Sequence, residues 1–397
     1  MYKQKREEAS EISNQIEGIH YKTNEPINVY IENGKIKEIK KLYSNRNTKE
    51  LDIIAPGLID LQINGFKGID FNNDPLKLIE WETVTKELSK HGLTSFYPTI
   101  ITNSFENLQK IFQLNYEYLS KRFENSNLIQ GFHLEGPYIS KEDGPRGAHN
   151  INYVRSPNLI EFKKLQETSG NLIKILTISP EWSTSNDFIK EVTKTGTKIA
   201  LGHTSASENQ INQAIQSGAL FSTHLGNGTH TTLPRHNNYL WDQLAAEELS
   251  ASVVADGHHL PLNLLKIFNK VKKEKMFLVS DSVALAGLEP GEYETFVGGK
   301  VRLTHERKLH LHDNSNILAG SAKSLIEGVS HLVNNHICSL AEALDKASVI
   351  PASIMNLPQK YGVTEGSPAD LIQIRDVNGI IQITKTIKKG QVIYEGS

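Results

Sequence analysis

Between residues 58 and 281, eight short apolar runs alternate with stretches whose apolar positions recur at helical spacing. The runs are LIDLQIN (58–64), SFYPTI (95–100), IQGFHLE (129–135), IKILTIS (173–179), TKIALGH (197–203), LFSTHL (220–225), ASVVADG (251–257) and KMFLVSD (275–281). Continuous apolar runs joined by helical segments are the pattern of parallel strands buried on both faces. Eight such units suit a closed (β/α)8 barrel of the TIM type, for which about 250 residues is typical, better than an open doubly wound sheet.

The flanks read differently. In NVYIENGKIKEIKKL (28–42) apolar and polar residues alternate on both sides of Asn33-Gly34, which predicts a hairpin with a type I′ turn. The pattern returns in ADLIQI (369–374), IIQITK (380–385) and QVIYEG (391–396), divided by Asn378-Gly379 and Gly390. Both chain ends are therefore expected to form one small β-sandwich module, with 1–55 its N-terminal part, 56–358 the barrel and 359–397 its C-terminal part.

Polar residues fall late in the barrel runs: Gln62, Asn64, Glu135, His203, His224, Asp256 and Asp281. Barrel sites lie at the C-terminal ends of the strands, so these residues should converge although they are far apart in the chain. His203 and His224 each close an apolar run, where a neutral imidazole can bind a metal through one ring nitrogen. Glu135 follows a buried strand and needs a cationic partner, either a metal or a Lys or Arg. Asp281 stands where a base is needed to take a proton from an activated water. His133 points to the same face as Glu135 but one layer deeper, as a core or supporting residue. Only one of His258 and His259 is expected to face the pocket. His305, His310 and His312 read as solvated. GNGTH (226–230) and FVGGK (296–300) lack the spacing of a nucleotide-binding loop.

Composition narrows the classes. The 397 residues carry 43 Lys+Arg against 45 Asp+Glu, a formal charge of −2, so nothing marks a nucleic-acid or membrane-surface binder. Cys338 is the single cysteine, which excludes an internal disulfide or a thiolate-only metal site. The first residues contain no apolar leader, and no run approaches the roughly 18 apolar residues of a membrane span. A soluble, cytoplasmic protein is expected.

Read in order, PGLIDLQINGFKGIDFN, HGLTSFYPTIIT, HLEGPYIS, ALGHTSAS, STHLGNG, ADGHH, LVSDSVALAG and LAGSAKSLIEGV resemble the N-acetylglucosamine-6-phosphate deacetylases of the amidohydrolase superfamily. The resemblance implies hydrolysis of N-acetylglucosamine 6-phosphate to glucosamine 6-phosphate and acetate. An alternative is deacetylation of another N-acyl amino sugar, unphosphorylated or a galacto epimer, or of an N-acyl amino acid. Where many amidohydrolases carry His-x-His and two metals, this chain has Gln62 and Asn64, a vestigial second-metal position. The resemblance thus implies one divalent metal on Glu135, His203 and His224, with zinc the default and Fe(II) or Co(II) fitting the same set.

For substrate, the resemblance implies contacts from Ala148, His149, Asn227, Gly228, Arg235, His259, Leu318, Ala319 and Gly320. Arg235 stands eleven residues beyond His224, and its counterpart commonly reaches a neighbouring subunit, so a homodimer or homotetramer is expected. The stretch 228–245 departs from the usual family sequence, adding His230, His236 and Trp241.

Overall fold

Asn33 and Gly34 both take positive φ, 52° and 73°, and close the expected hairpin between the strands Pro26–Glu32 and Lys35–Lys41. The hairpin belongs to a computed structural model that describes residues 14–42, 50–73, 75–295 and 299–396. Strands from the two chain ends join in one seven-stranded ladder, in the order 391–395, 380–388, 371–377, 53–56, 14–20, 26–32 and 35–41. Residues 1–13 and 43–49, which the sequence assigns to this module, lie outside the described residues.

The eight apolar runs form eight parallel strands, each hydrogen-bonded to the next in chain order. They are β1 (Leu58–Ile63), β2 (Leu93–Ile101), β3 (Phe132–Glu135), β4 (Ile173–Ile178), β5 (Lys198–Leu201), β6 (Ala219–Ser222), β7 (Ser250–Val254) and β8 (Met276–Val279). Closure between β8 and β1 comes just beyond the strand ends, where Asp281 N donates to Gln62 O at 2.9 Å and Asn64 N to Ser282 O at 2.8 Å. Ile59, Leu61, Tyr97, Ile175, Ala200, Phe221, Val254, Phe277 and Val279 make a separate apolar cluster, the packed barrel interior. The fold is a (β/α)8 barrel with a small β module built from both chain ends.

One irregularity lies between β1 and β2. Pro98 lies within β2 opposite Ile63, and the β1–β2 register shifts between Asp60 and Ile63. Proline has no N–H for a ladder; on the facing strand Ile63 N donates to the Thr99 hydroxyl at 3.1 Å. Ile59 and Leu61 belong to the interior cluster, and Gln62 Nε2 reaches Glu135 Oε1 at 2.9 Å.

The helices follow sequence cues. In Phe105–Ser120 the buried positions are Leu108, Ile111, Phe112 and Asn115, one stripe of a 3.6-residue helix, and the Ser104 hydroxyl caps its start by accepting from Asn107 N. Ser324 and Glu327 form a capping box at the start of Leu325–Asn334.

Beyond β8 the chain does not run straight into a helix. The strands 291–295, 299–303, 309–311 and 314–318 form an antiparallel sheet whose apolar side, Val301, Leu303 and Leu309, packs with Leu285 and Ala322. This corrects one expectation: His310, read as solvated, is buried in this sheet and donates through Nδ1 to Leu311 O, while His305 and His312 are exposed. Of FVGGK, residues 296–298 lie outside the described residues. No helix among the described residues is long and apolar enough to cross a membrane.

Candidate active site

Glu135 is the last residue of β3, whereas His203, His224 and Asp281 each stand two residues beyond the end of their strand, after β5, β6 and β8. All three have positive φ, 49°, 29° and 47°, a region that non-glycine residues rarely occupy. The left-handed kink turns each side chain back over the barrel mouth, a strain of the kind that clusters at functional sites.

Three atoms converge there. Glu135 Oε1 lies 3.1 Å from His203 Nε2 and 3.0 Å from His224 Nε2, and the two Nε2 atoms are 3.1 Å apart. All three residues are buried. His203 Nδ1 donates to Pro145 O at 2.9 Å, so in the neutral ring Nε2 keeps its lone pair. Two imidazole nitrogens and a carboxylate oxygen at such separations repel unless a proton or a cation sits among them. Burial pushes the Glu135 carboxyl up, but the hydrogen bonds and charges of His203 and His224 outweigh it and hold it well below the usual range. A divalent cation meets the same demand without protonating either ring, and the donor set is one that zinc-type ions accept. His149 offers a further nitrogen beside Glu135 and His203, all within 4.8 Å. Its Nδ1 is bonded to the Thr102 hydroxyl at 2.7 Å, and its ring meets His203 edge-on at 4.4 Å.

Asp281 faces this group. Burial, only partly offset by the charge of His224, pushes its carboxyl up to about 6, near the operating range of a general base. Asn64 Nδ2 donates to Asp281 Oδ1 at 2.7 Å, and Gln62 Nε2 donates to Glu135 Oε1 at 2.9 Å. Below them His133 bonds Leu61 O and the Thr177 hydroxyl and stays in the core layer.

Of the residues the resemblance adds, Gly228 packs on His203: a Cβ there would come within 2.8 Å of Nδ1, and its φ is +58°. Asn227 N and Nδ2 both donate to His224 O. Ala148 is exposed on the loop that carries Pro145 and His149. Leu318, Ala319 and Gly320 lead into Ser321, which bridges to Ser282 beside Asp281. His259 Nδ1 bonds Asp256 Oδ2 at 2.7 Å. Arg235 is not gathered in: it is exposed on the loop after Gly228 and makes no hydrogen bond or ion pair among the described residues.

Two supporting residues went unassigned in the sequence, Thr102, which holds His149, and Asp60; Asp256, already named among the late polar residues, holds His259. Asp60 Oδ1 accepts from Gln62 N and Ser280 N across the β1–β8 closure, and burial pushes its carboxyl up to about 7. A lone acidic residue inside an apolar run was the available signal.

Comparison with known proteins gives a consistent result. Residues 53–393 match the Amidohydrolase family. The N-acetylglucosamine-6-phosphate deacetylase of Haemophilus influenzae is 30% identical over 347 residues, covering 85% of this chain and 88% of its own, and that of Bos taurus is 29% identical over 386 residues, covering 92% and 91%. Among solved structures, the N-acetylglucosamine-6-phosphate deacetylase of Thermotoga maritima superposes with a TM-score of 0.83 at 25% identity, covering 96% of this chain and 100% of that one. The Pasteurella multocida enzyme of the same name gives 0.82 at 26%, covering 96% and 99%.

Proposed function

The chain belongs to the amidohydrolase family, and on that premise we propose that its site is that of an N-acetylglucosamine-6-phosphate deacetylase, releasing acetate and glucosamine 6-phosphate. The observation that carries this is the convergence of Glu135, His203 and His224 within 3.1 Å of one another, facing an Asp281 carboxyl whose proton affinity lies near neutrality.

Glu135, His203 and His224 would hold one divalent cation, with zinc the default for this donor set. When bound, such an ion polarises the acetamide carbonyl and lowers the pKa of a water toward about 7. Asp281 takes the water proton on the carboxylate oxygen that Asn64 leaves free and returns it to the sugar nitrogen, because an amine leaves far more readily once protonated. His149 and Gly228 wall the site at His203. His259, fixed by Asp256, presents its other ring nitrogen to the 6-phosphate. The exposed Arg235 completes the phosphate site of a neighbouring subunit in a homodimer or homotetramer.

The test combines metal analysis of the purified protein with acetate release from N-acetylhexosamines carrying or lacking a 6-phosphate. About one tight divalent ion per chain and a clear preference for N-acetylglucosamine 6-phosphate are expected. In Asp281→Asn, kcat should fall by roughly 10² or more with metal content unchanged. No acetate from any N-acetylhexosamine, or near-normal turnover in Asp281→Asn, overturns the assignment.

A further inference from the structure

We propose that Asn64 is a positioning residue for Asp281: its amide nitrogen pins one carboxylate oxygen and thereby fixes the direction in which the other faces the reacting water. The proposal rests on the role given to Asp281 above. It also changes the meaning of the Gln62 and Asn64 pair, which then does more than mark a missing metal site.

The geometry is direct. Asn64 Nδ2 lies 2.7 Å from Asp281 Oδ1, and a carboxylate only accepts, so the nitrogen must be the atom that faces it. Both backbones are held across the barrel closure. Asn64 N donates to Ser282 O at 2.8 Å, Asn64 O accepts from Phe71 N at 3.0 Å, and Asp281 N donates to Gln62 O at 2.9 Å. The side-chain bond therefore joins two residues whose main chains cannot drift apart. Asp281 sits at φ 47°, off any regular element, so no ladder fixes its side chain.

The remaining atom of the amide is informative. Asn64 Oδ1 is buried and has no partner among the described residues. A side chain kept for structure alone would be expected to satisfy both ends. This one makes a single bond, to the carboxylate that moves the proton, while Gln62 makes the parallel bond to Glu135.

The test uses the metal-loaded full chain with Asn64→Ala and Asn64→Asp. Alanine removes the donor; aspartate keeps the shape but sets a second carboxylate against the first. We expect kcat to fall about tenfold in Asn64→Ala and about a hundredfold in Asn64→Asp, with KM within about twofold, and with metal content and melting temperature near wild type. A merely structural asparagine predicts the opposite order, because aspartate fits its space better than alanine. Wild-type kcat in both variants, a milder effect for aspartate than for alanine, or a loss explained by lost metal overturns the proposal. A crystal structure of Asn64→Ala separates this from the function reading: Asp281 should take more than one orientation whether or not the wild-type chain releases acetate. A single unchanged orientation also overturns it.

Discussion

Asp256 Oδ2 lies 2.7 Å from His259 Nδ1, and the other oxygen of the same carboxylate accepts the backbone N–H of both His258 and His259. Burial would raise the Asp256 carboxyl, but the bond and charge of His259 hold it well below the usual range, so it is ionised at any working pH. Asp256 thus orients the His259 ring, while His258 Nε2 faces Glu306 O at 3.0 Å. Asp256→Asn weakens the bond that orients the His259 ring. KM for the phosphorylated sugar should rise about tenfold with a smaller change in kcat. Steady-state kinetics check this, and an unchanged KM would remove His259 from the phosphate site.

Arg235 is exposed and makes no hydrogen bond or ion pair among the described residues, as the proposed contact with a neighbouring subunit's phosphate requires. Arg235→Ala should raise KM by about tenfold to a hundredfold for the 6-phosphate substrate and leave an unphosphorylated analogue almost unaffected. Mixing this variant with an inactive Asp281→Asn chain should restore part of the activity if the arginine serves the neighbour. Equal losses for both substrates would count against a phosphate contact.

His133 gives a pH dependence with a definite sign. Burial, partly opposed by the charge of Glu135, pushes its ring down to about 4, against about 6.5 in an unfolded chain. Above pH 6.5 the ring is neutral in both states and contributes nothing. As pH falls from about 6.5 to about 4 the unfolded chain binds a proton that the folded chain refuses, so stability drops by up to roughly 3 kcal/mol. Urea unfolding at a series of pH values should show a shallower decline in His133→Gln than in wild type across this window. Parallel declines would mean that His133 does not carry it.

Lys388 ties the small β module to the barrel. Its Nζ lies 2.8 Å from Asp370 Oδ2 and 3.3 Å from the Ser95 hydroxyl of β2, with both charged side chains almost wholly buried. Removing one partner of a buried pair leaves an uncompensated charge and costs about 3–5 kcal/mol, whereas replacing both with apolar groups can be nearly neutral. Lys388→Met should therefore lower the melting temperature markedly, and Lys388→Met with Asp370→Leu should recover part of the loss. Asp370 also accepts from Gln359 Nε2 at 2.7 Å and from Lys389 N at 2.8 Å, so a double variant less stable than the single one would show that these bonds outweigh the relief of the unpaired charge.

The amino-acid sequence by itself determined the architecture and pointed to the polar residues that meet at the barrel mouth. Buried parallel strands must be apolar on both faces, so each left a short uninterrupted run, and the polar residue ending a run was legible as an anomaly: Glu135, His203, His224 and Asp281 all announced themselves in this way. The hairpin at Asn33-Gly34 was legible because its turn needs positive φ at both positions. What only the tertiary structure decided is where side chains meet across strands. The bond from Asn64 to Asp281 spans 217 residues and depends on how β1 and β8 close the barrel. The bond from Gln62 to Glu135 joins residues 73 apart in the chain. The left-handed turns at His203, His224 and Asp281 leave no residue signature, since none is glycine. The burial of His310 in an inserted sheet was hidden because its strands are short and mostly polar on their outer face. Local pattern reports the environment along one strand, whereas register, closure and pairing are set by packing among strands distant in the chain, and those relations decide which polar groups touch.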